Sequence, residues 1–90
     1  MNIDFLKFLE TFMVVAEARN MTVAAQSLGV SQSAVSQQLH QLEADLGGLL
    51  FDRSVRPIAL TAAGTMLHAK AFQLLNQAAE IRTLGQDVQS

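Results

Sequence analysis

Between Ser31 and Gln41 the chain reads SQSAVSQQLHQ, with hydroxyls, carboxamides and one imidazole but no charge. At 100° per residue Ser33, Ser36, Gln37 and His40 cluster on one helical face, and Gln32 flanks that face in the first turn. A helix face that is merely solvated usually carries Glu and Lys. Short uncharged hydrogen-bonding groups are what a helix needs to reach base edges in a major groove without crowding them. A second feature follows at once. Arg53 and Arg56 bracket Ser54-Val55 ahead of Pro57, which puts Arg56 at a loop tip where a guanidinium can lie along or in a minor groove. For Arg53, an ion pair with a nearby helical acid such as Glu43 is an equal reading, since one arginine can serve both roles.

Other chemistries find no support. The chain has no cysteine, so neither a disulfide nor a Cys-based zinc site can form. His40 and His68 fall on different helices, and no metal site is expected. Ser31, Ser33 and Ser36 have no His–Asp arrangement to activate them. Glu43 and Asp45 read as a solvated helix end rather than an acid pair. No catalytic residue and no cofactor are expected.

Ninety residues, half of them hydrophobic and 16% charged, suit one small domain and exclude a disordered or polybasic tail. The formal charge is -2, and no segment is a basic patch. Phosphate neutralisation supplies most non-specific affinity for nucleic acid, so any DNA function must rest on a few well-placed cations. The longest apolar runs, Met13 to Ala16 and Leu49 to Phe51, are far too short to span a bilayer. The N-terminus lacks a signal-peptide pattern and Asn2 excludes a myristoylated glycine. A cytoplasmic protein is expected.

These residues must be positioned by a mainly α fold. Phe5, Phe8, Leu9, Phe12, Val15 and Ala16 recur on one helical face. Asp4 stands at the start of that helix and Asn20 ends it. Asn20 or Thr22 caps a short second helix with Ala24, Ala25 and Leu28 inward, and Gly29 stands where a positive φ is often needed. Val30 reads as a buried anchor of the turn. Ser31 caps a third helix to about Leu46, with Val35, Leu39, Leu42 and Leu46 as its core stripe. Gly47-Gly48 break it, Leu49-Leu50-Phe51 anchor the chain, and Phe51–Arg53 with Ile58–Leu60 form two short strands. From the capping residue Thr61 a helix of roughly 40 Å can run almost to the end. Its stripe of Leu67, Ala71, Leu74, Ala78, Ile81 and Val88, with Leu75 and Leu84 beside it, is longer than so small a core can cover. Gly64 and Gly85 are weak points in it. Ala25, Gly29 and Val35 supply the close approach, the turn and the wedge of a helix-turn-helix, and the arginine loop completes a winged one.

Residues 24–64, AAQSLGVSQSAVSQQLHQLEADLGGLLFDRSVRPIALTAAG, resemble the DNA-binding domain of LysR-type transcriptional regulators. Ala24-Ala25, Leu28, Val30-Ser31-Gln32, Ala34-Val35-Ser36, Gln38, Leu42-Glu43, Leu46-Gly47, Leu50-Phe51, Arg53 and Leu60-Thr61 with Ala63-Gly64 meet the family's pattern. Residues 5–23 and 65–90 fit its first helix and its linker helix. The resemblance implies that Gln32 and Ser33 contact bases and backbone, that Ser36 reaches a phosphate or base, and that Gln37 holds the variable base-reading position. It assigns Thr22 a phosphate contact, Arg53 the arginine of the first wing strand, and Arg56 the wing residue near the minor groove. His40 extends the same face. Residues 1–61 are thus expected to form a winged helix-turn-helix, and 62–90 a linker helix that dimerises the chain.

The expected partners are double-stranded DNA with a partly palindromic site and a second copy of the chain, with higher oligomers at full length. A small-molecule effector would act only through the C-terminal domain typical of the family. The sequence ends near the close of the linker helix and is read as a DNA-binding fragment. Two positions depart from the pattern: Ser33 replaces the commoner proline, and Gly48 adds a second glycine that would loosen the approach to the wing. A winged helix used for protein–protein contact and the similar N-terminal domain of molybdate-responsive regulators are the alternatives.

Overall fold

The computed structural model describes residues 4–89, with side chains for residues 4–86. Four helices and a two-stranded wing follow in the order α1 (Phe5–Ala18), α2 (Met21–Leu28), α3 (Gln32–Leu46), β1 (Phe51–Asp52), β2 (Ala59–Leu60) and α4 (Ala62–Gln89). The mainly α winged helix-turn-helix read from the sequence is the fold found.

Local chemistry accounts for the boundaries. Asp4 occupies the N-cap of α1. Asn20 caps α2, its side-chain oxygen accepting from Val23 N at 3.0 Å. Ser31 does the same for α3 through Ala34 N at 3.1 Å. Asn20 and Ser31 each satisfy one of the donors that a helix start leaves open. Gly29 and Gly47 close α2 and α3 at φ 69° and 77°, a region nearly free of penalty only for glycine.

The core lies where α1, α2 and α3 meet. Leu9, Phe12 and Val15 pack with Ala24, Ala25, Val35, Leu39 and Leu42, and the wing adds Leu50, Phe51 and Ile58. The Phe12 and Phe51 rings stand 5.4 Å apart at 48°, a tilted pairing that favours edge-to-face contact. β1 and β2 pair antiparallel, Phe51 with Leu60 and Asp52 with Ala59.

Several expectations of burial are corrected. Val30, Leu46 and Leu49 are 38%, 46% and 65% exposed. All three sit where a helix ends or the chain leaves one, and periodicity gives the direction of a side chain but not the depth of cover over it. Glu43 is the reverse case. Expected to be solvated, it is 5% exposed. Its Oε2 accepts from Leu50 N at 2.7 Å, and Oε1 lies 3.6 Å from Arg53 Nη2. Gly64, read as a weak point, is required: a Cβ there would fall 2.1 Å from the Leu50 carbonyl oxygen. Gly48 has open space around it.

α4 starts on a cap from Thr61, whose Oγ1 accepts from Gly64 N at 3.0 Å and donates to Leu49 O at 2.7 Å. Its first half packs on the core, with Ala71 fully covered and Leu67 and Leu75 partly so. Ala71 is therefore corrected from the dimer stripe to the protomer's own interior. Beyond it the helix projects, and the molecule measures 49 × 26 × 22 Å. Leu74, Ile81 and Leu84 are exposed there and Ala78 half-buried; the side chain of Val88 lies outside the described residues. Among the described residues no helix is long and apolar enough to cross a membrane.

Candidate nucleic-acid interface

The starts of α2 and α3 and the wing converge on one surface. Thr22, in the first turn of α2, donates from Oγ1 to Gln32 Oε1 at 3.2 Å. This bond ties the two helices of the helix-turn-helix together at the surface and fixes which way the Gln32 carboxamide faces. Ser33 lies beside the cap, its Oγ 3.3 Å from Ser31 Oγ. Gln37 and His40 project freely further along α3, and Ser36 is half-buried between them. Gln32, Ser33, Ser36, Gln37 and His40 therefore form the continuous uncharged face that their spacing implied. Gln38 is on another face. Its Oε1 accepts from the buried Thr11 Oγ1 of α1 at 2.6 Å, so one of two adjacent glutamines braces the fold and the other is exposed.

The two wing arginines have different environments. Arg53 pairs with Glu43, so the ion pair weighed as an equal reading is present. It secures the base of the wing to the end of α3. Arg56 is exposed and engaged by no hydrogen bond or ion pair among the described residues. It shares a cleft of about 400 Å³ with Arg19, Asn20, Thr22, Gln32 and Pro57. No carboxylate lines it. Asp52 shapes the turn ahead of Arg56 by accepting from the Ser54 hydroxyl and from Ser54 N at 2.9 Å. The hydroxyl first, and then the backbone N–H, holds its carboxyl below the ordinary carboxylate range, because both bonds favour the charged form.

Arg19 was not singled out from sequence. The signal available was a cation beside the helix-capping Asn20 and three residues before Thr22. Its reach to the wing, Nε donating to the Ile58 carbonyl at 3.2 Å, joins positions 39 residues apart. Among the described residues no three His, Cys, Asp or Glu side chains gather as a metal site.

Residues 6–65 match the model of the bacterial regulatory helix-turn-helix proteins of the lysR family. The chain belongs to the LysR family. Its curated relatives include the HTH-type transcriptional regulator BudR of Raoultella terrigena, 46% identical over 70 residues, which are 78% of this chain and 24% of that protein. The HTH-type transcriptional activator IlvY of Salmonella typhimurium is 43% identical over 77 residues, 86% of this chain and 26% of that protein. The chain thus spans about a quarter of the length of these LysR-family relatives.

Solved structures agree in fold. The chain is similar to Vibrio fischeri DarR in complex with DNA, at 35% identity and TM-score 0.90, covering 98% of this chain and 30% of that one. It is also similar to the CbnR_DBD–DNA complex, at 40% identity and TM-score 0.86, covering 94% and 98%. The relatives are transcriptional regulators, not enzymes.

Proposed function

We propose that this chain is the DNA-binding unit of a cytoplasmic LysR-type transcriptional regulator. In this reading residues 1–61 bind duplex DNA and residues 62–90 form the linker that joins two copies. Gln32, Ser33, Ser36, Gln37 and His40 enter the major groove, Thr22 meets the backbone, and Arg56 reaches the flanking minor groove. Arg53 holds the wing through Glu43. A small-molecule effector, and assembly beyond the dimer, would involve the further domain typical of the family.

The observation that carries the reading is the uncharged face of α3 beside a cleft with two guanidiniums and no carboxylate, in a chain of net charge -2. A protein so short of cations gains little from general attraction to phosphate. It needs directed hydrogen bonds to base edges and cations placed where the backbone passes.

Dimerisation is supported by surface. A compact monomer of this mass would expose roughly 5,100 Å², and the chain exposes 6049 Å². The excess is of the order that one partner buries in a standard interface. Leu74, Ile81 and Leu84 on the projecting part of α4 account for its apolar character.

Mixed-sequence duplex DNA titrated with the 90-residue chain at rising salt tests the reading. Affinity should fall linearly in log–log form, with a shallow slope that reflects few phosphate contacts. Failure to bind any duplex at low salt would favour a winged helix used for protein contact.

A further inference from the structure

Arg19 holds a conformation that favours other residues. Its φ of 53° lies in the left-handed region, which glycine and asparagine enter more cheaply than a long side chain does. The residue is the C-cap of α1, with its N–H donating to Val15 O at 2.8 Å. Glycine would close the helix equally well, so capping does not account for an arginine. The side chain crosses to the wing, where Nε donates to the Ile58 carbonyl at 3.2 Å. That uses one of the five guanidinium donors. No other hydrogen bond or ion pair engages Arg19 among the described residues.

We propose that Arg19 is a phosphate-binding residue: it seats a backbone phosphodiester of the duplex in the cleft with Thr22, while its Nε holds the wing. The inference rests on the reading of the chain as a duplex binder. Charge makes the case. Of the six lysines and arginines, Arg53 is committed to Glu43, whereas Arg19 and Arg56 line one cleft with no carboxylate. That is where an acidic chain can present positive potential. A guanidinium held at Nε keeps its Nη edge for the two oxygens of a phosphate, a geometry lysine cannot reproduce. A free oxoanion would meet the same donors, so the test must separate the two sources.

Arg19→Gly removes the guanidinium and relieves the backbone, so the variant should fold at least as well as the parent. Binding of mixed-sequence duplex is measured against salt for the parent, Arg19→Gly and Arg19→Lys. Arg19→Gly should lose affinity about tenfold, and its log–log salt slope should fall by about 0.9 for each bound protomer. Arg19→Lys should keep most of the slope yet bind more weakly, which a purely wing-supporting role would not produce. In parallel, inorganic phosphate is titrated while the Arg19 side-chain Nε resonance is followed by NMR, and duplex should displace it. An unchanged slope and affinity in Arg19→Gly would overturn the proposal and leave duplex binding intact. Saturation by inorganic phosphate without competition from duplex would overturn the assignment of the cleft to DNA. No duplex binding by the parent would overturn the underlying reading and the proposal with it.

Discussion

The surface built from α2, α3 and the wing and the surface of the projecting half of α4 are both open to solvent, and they are made differently. On the first, short polar groups hold one another in place: Thr22 on Gln32, Ser31 beside Ser33, Asp52 on Ser54. On the second, Leu74, Ile81 and Leu84 are exposed at 41%, 69% and 63%. Ordered polar groups suit a ligand whose hydrogen-bonding atoms have fixed positions, as base edges and phosphates do. An apolar helix face needs only a complementary apolar face to leave water. On the proposed reading the two surfaces divide recognition from assembly, and a rigid joint must connect them.

The largest effect is expected from spoiling the apolar face alone. Leu74→Glu with Ile81→Glu should give a folded monomer by sedimentation, because neither residue belongs to the core. Duplex affinity should then fall by about a hundredfold or more, since two half-sites no longer bind as one unit. A variant that stays dimeric would move the interface elsewhere.

The joint is the next target. Gly64 lets α4 pass over the Leu50 carbonyl, and Thr61 N donates to that same oxygen at 3.0 Å. Gly64→Ala should cost about 1–3 kcal/mol, the usual penalty of forcing atoms into packed space. Thermal unfolding should show it as a fall of about 4–8 °C for each kcal/mol lost. Unchanged stability would mean that α4 is free to shift.

Gln37→Ala sharpens the polar side. Stability should hold, while discrimination at one base position per half-site falls by about 1–3 kcal/mol. The matched control is Gln38→Ala, which removes the bond to buried Thr11 and should lower stability by about 1 kcal/mol without altering base preference. Exchanged outcomes would reverse the roles given to the two glutamines.

The smallest effect is one of pH. Asp52 titrates below its ordinary 3.8 when folded, so it supports the wing above that value and loses the support as pH falls through the depressed one. Amide exchange at Ser54, corrected for intrinsic pH dependence, should stay constant from neutrality to about pH 5 and rise only in stronger acid. Ser54→Ala should bring the Asp52 midpoint back toward 3.8. A midpoint that does not move would remove the hydroxyl as the cause.

Much of both surfaces was legible in the sequence because local rules govern them. Asn20 and Ser31 announce helix starts, Gly29 and Gly47 announce ends, and the face of Ser33, Ser36, Gln37 and His40 follows from helical geometry. What was not legible depends on contacts across the fold. The pairing of Glu43 with Arg53 is readable from their types, but Glu43 looks like a solvated acid beside Asp45 until Leu50 N is seen to donate to its other oxygen and bury it. Leu49 looks like an anchor because its neighbours are apolar, yet only Leu50 and Phe51 turn inward. The stripe of α4 is continuous in sequence, but α1 covers it only as far as the core reaches, which divides Ala71 from Ile81. Arg19 is distant from the wing in sequence and meets it in space through the Ile58 carbonyl.

In the proposed function the polar face of α3 reads base sequence while α4 sets the spacing of two such readings. Selection of bound sequences from random duplexes by the 90-residue chain tests it most directly. A partly palindromic motif is expected, its half-sites about one helical turn, or a whole number of turns, apart. An unenriched pool, or a single half-site with no preferred spacing, would contradict it.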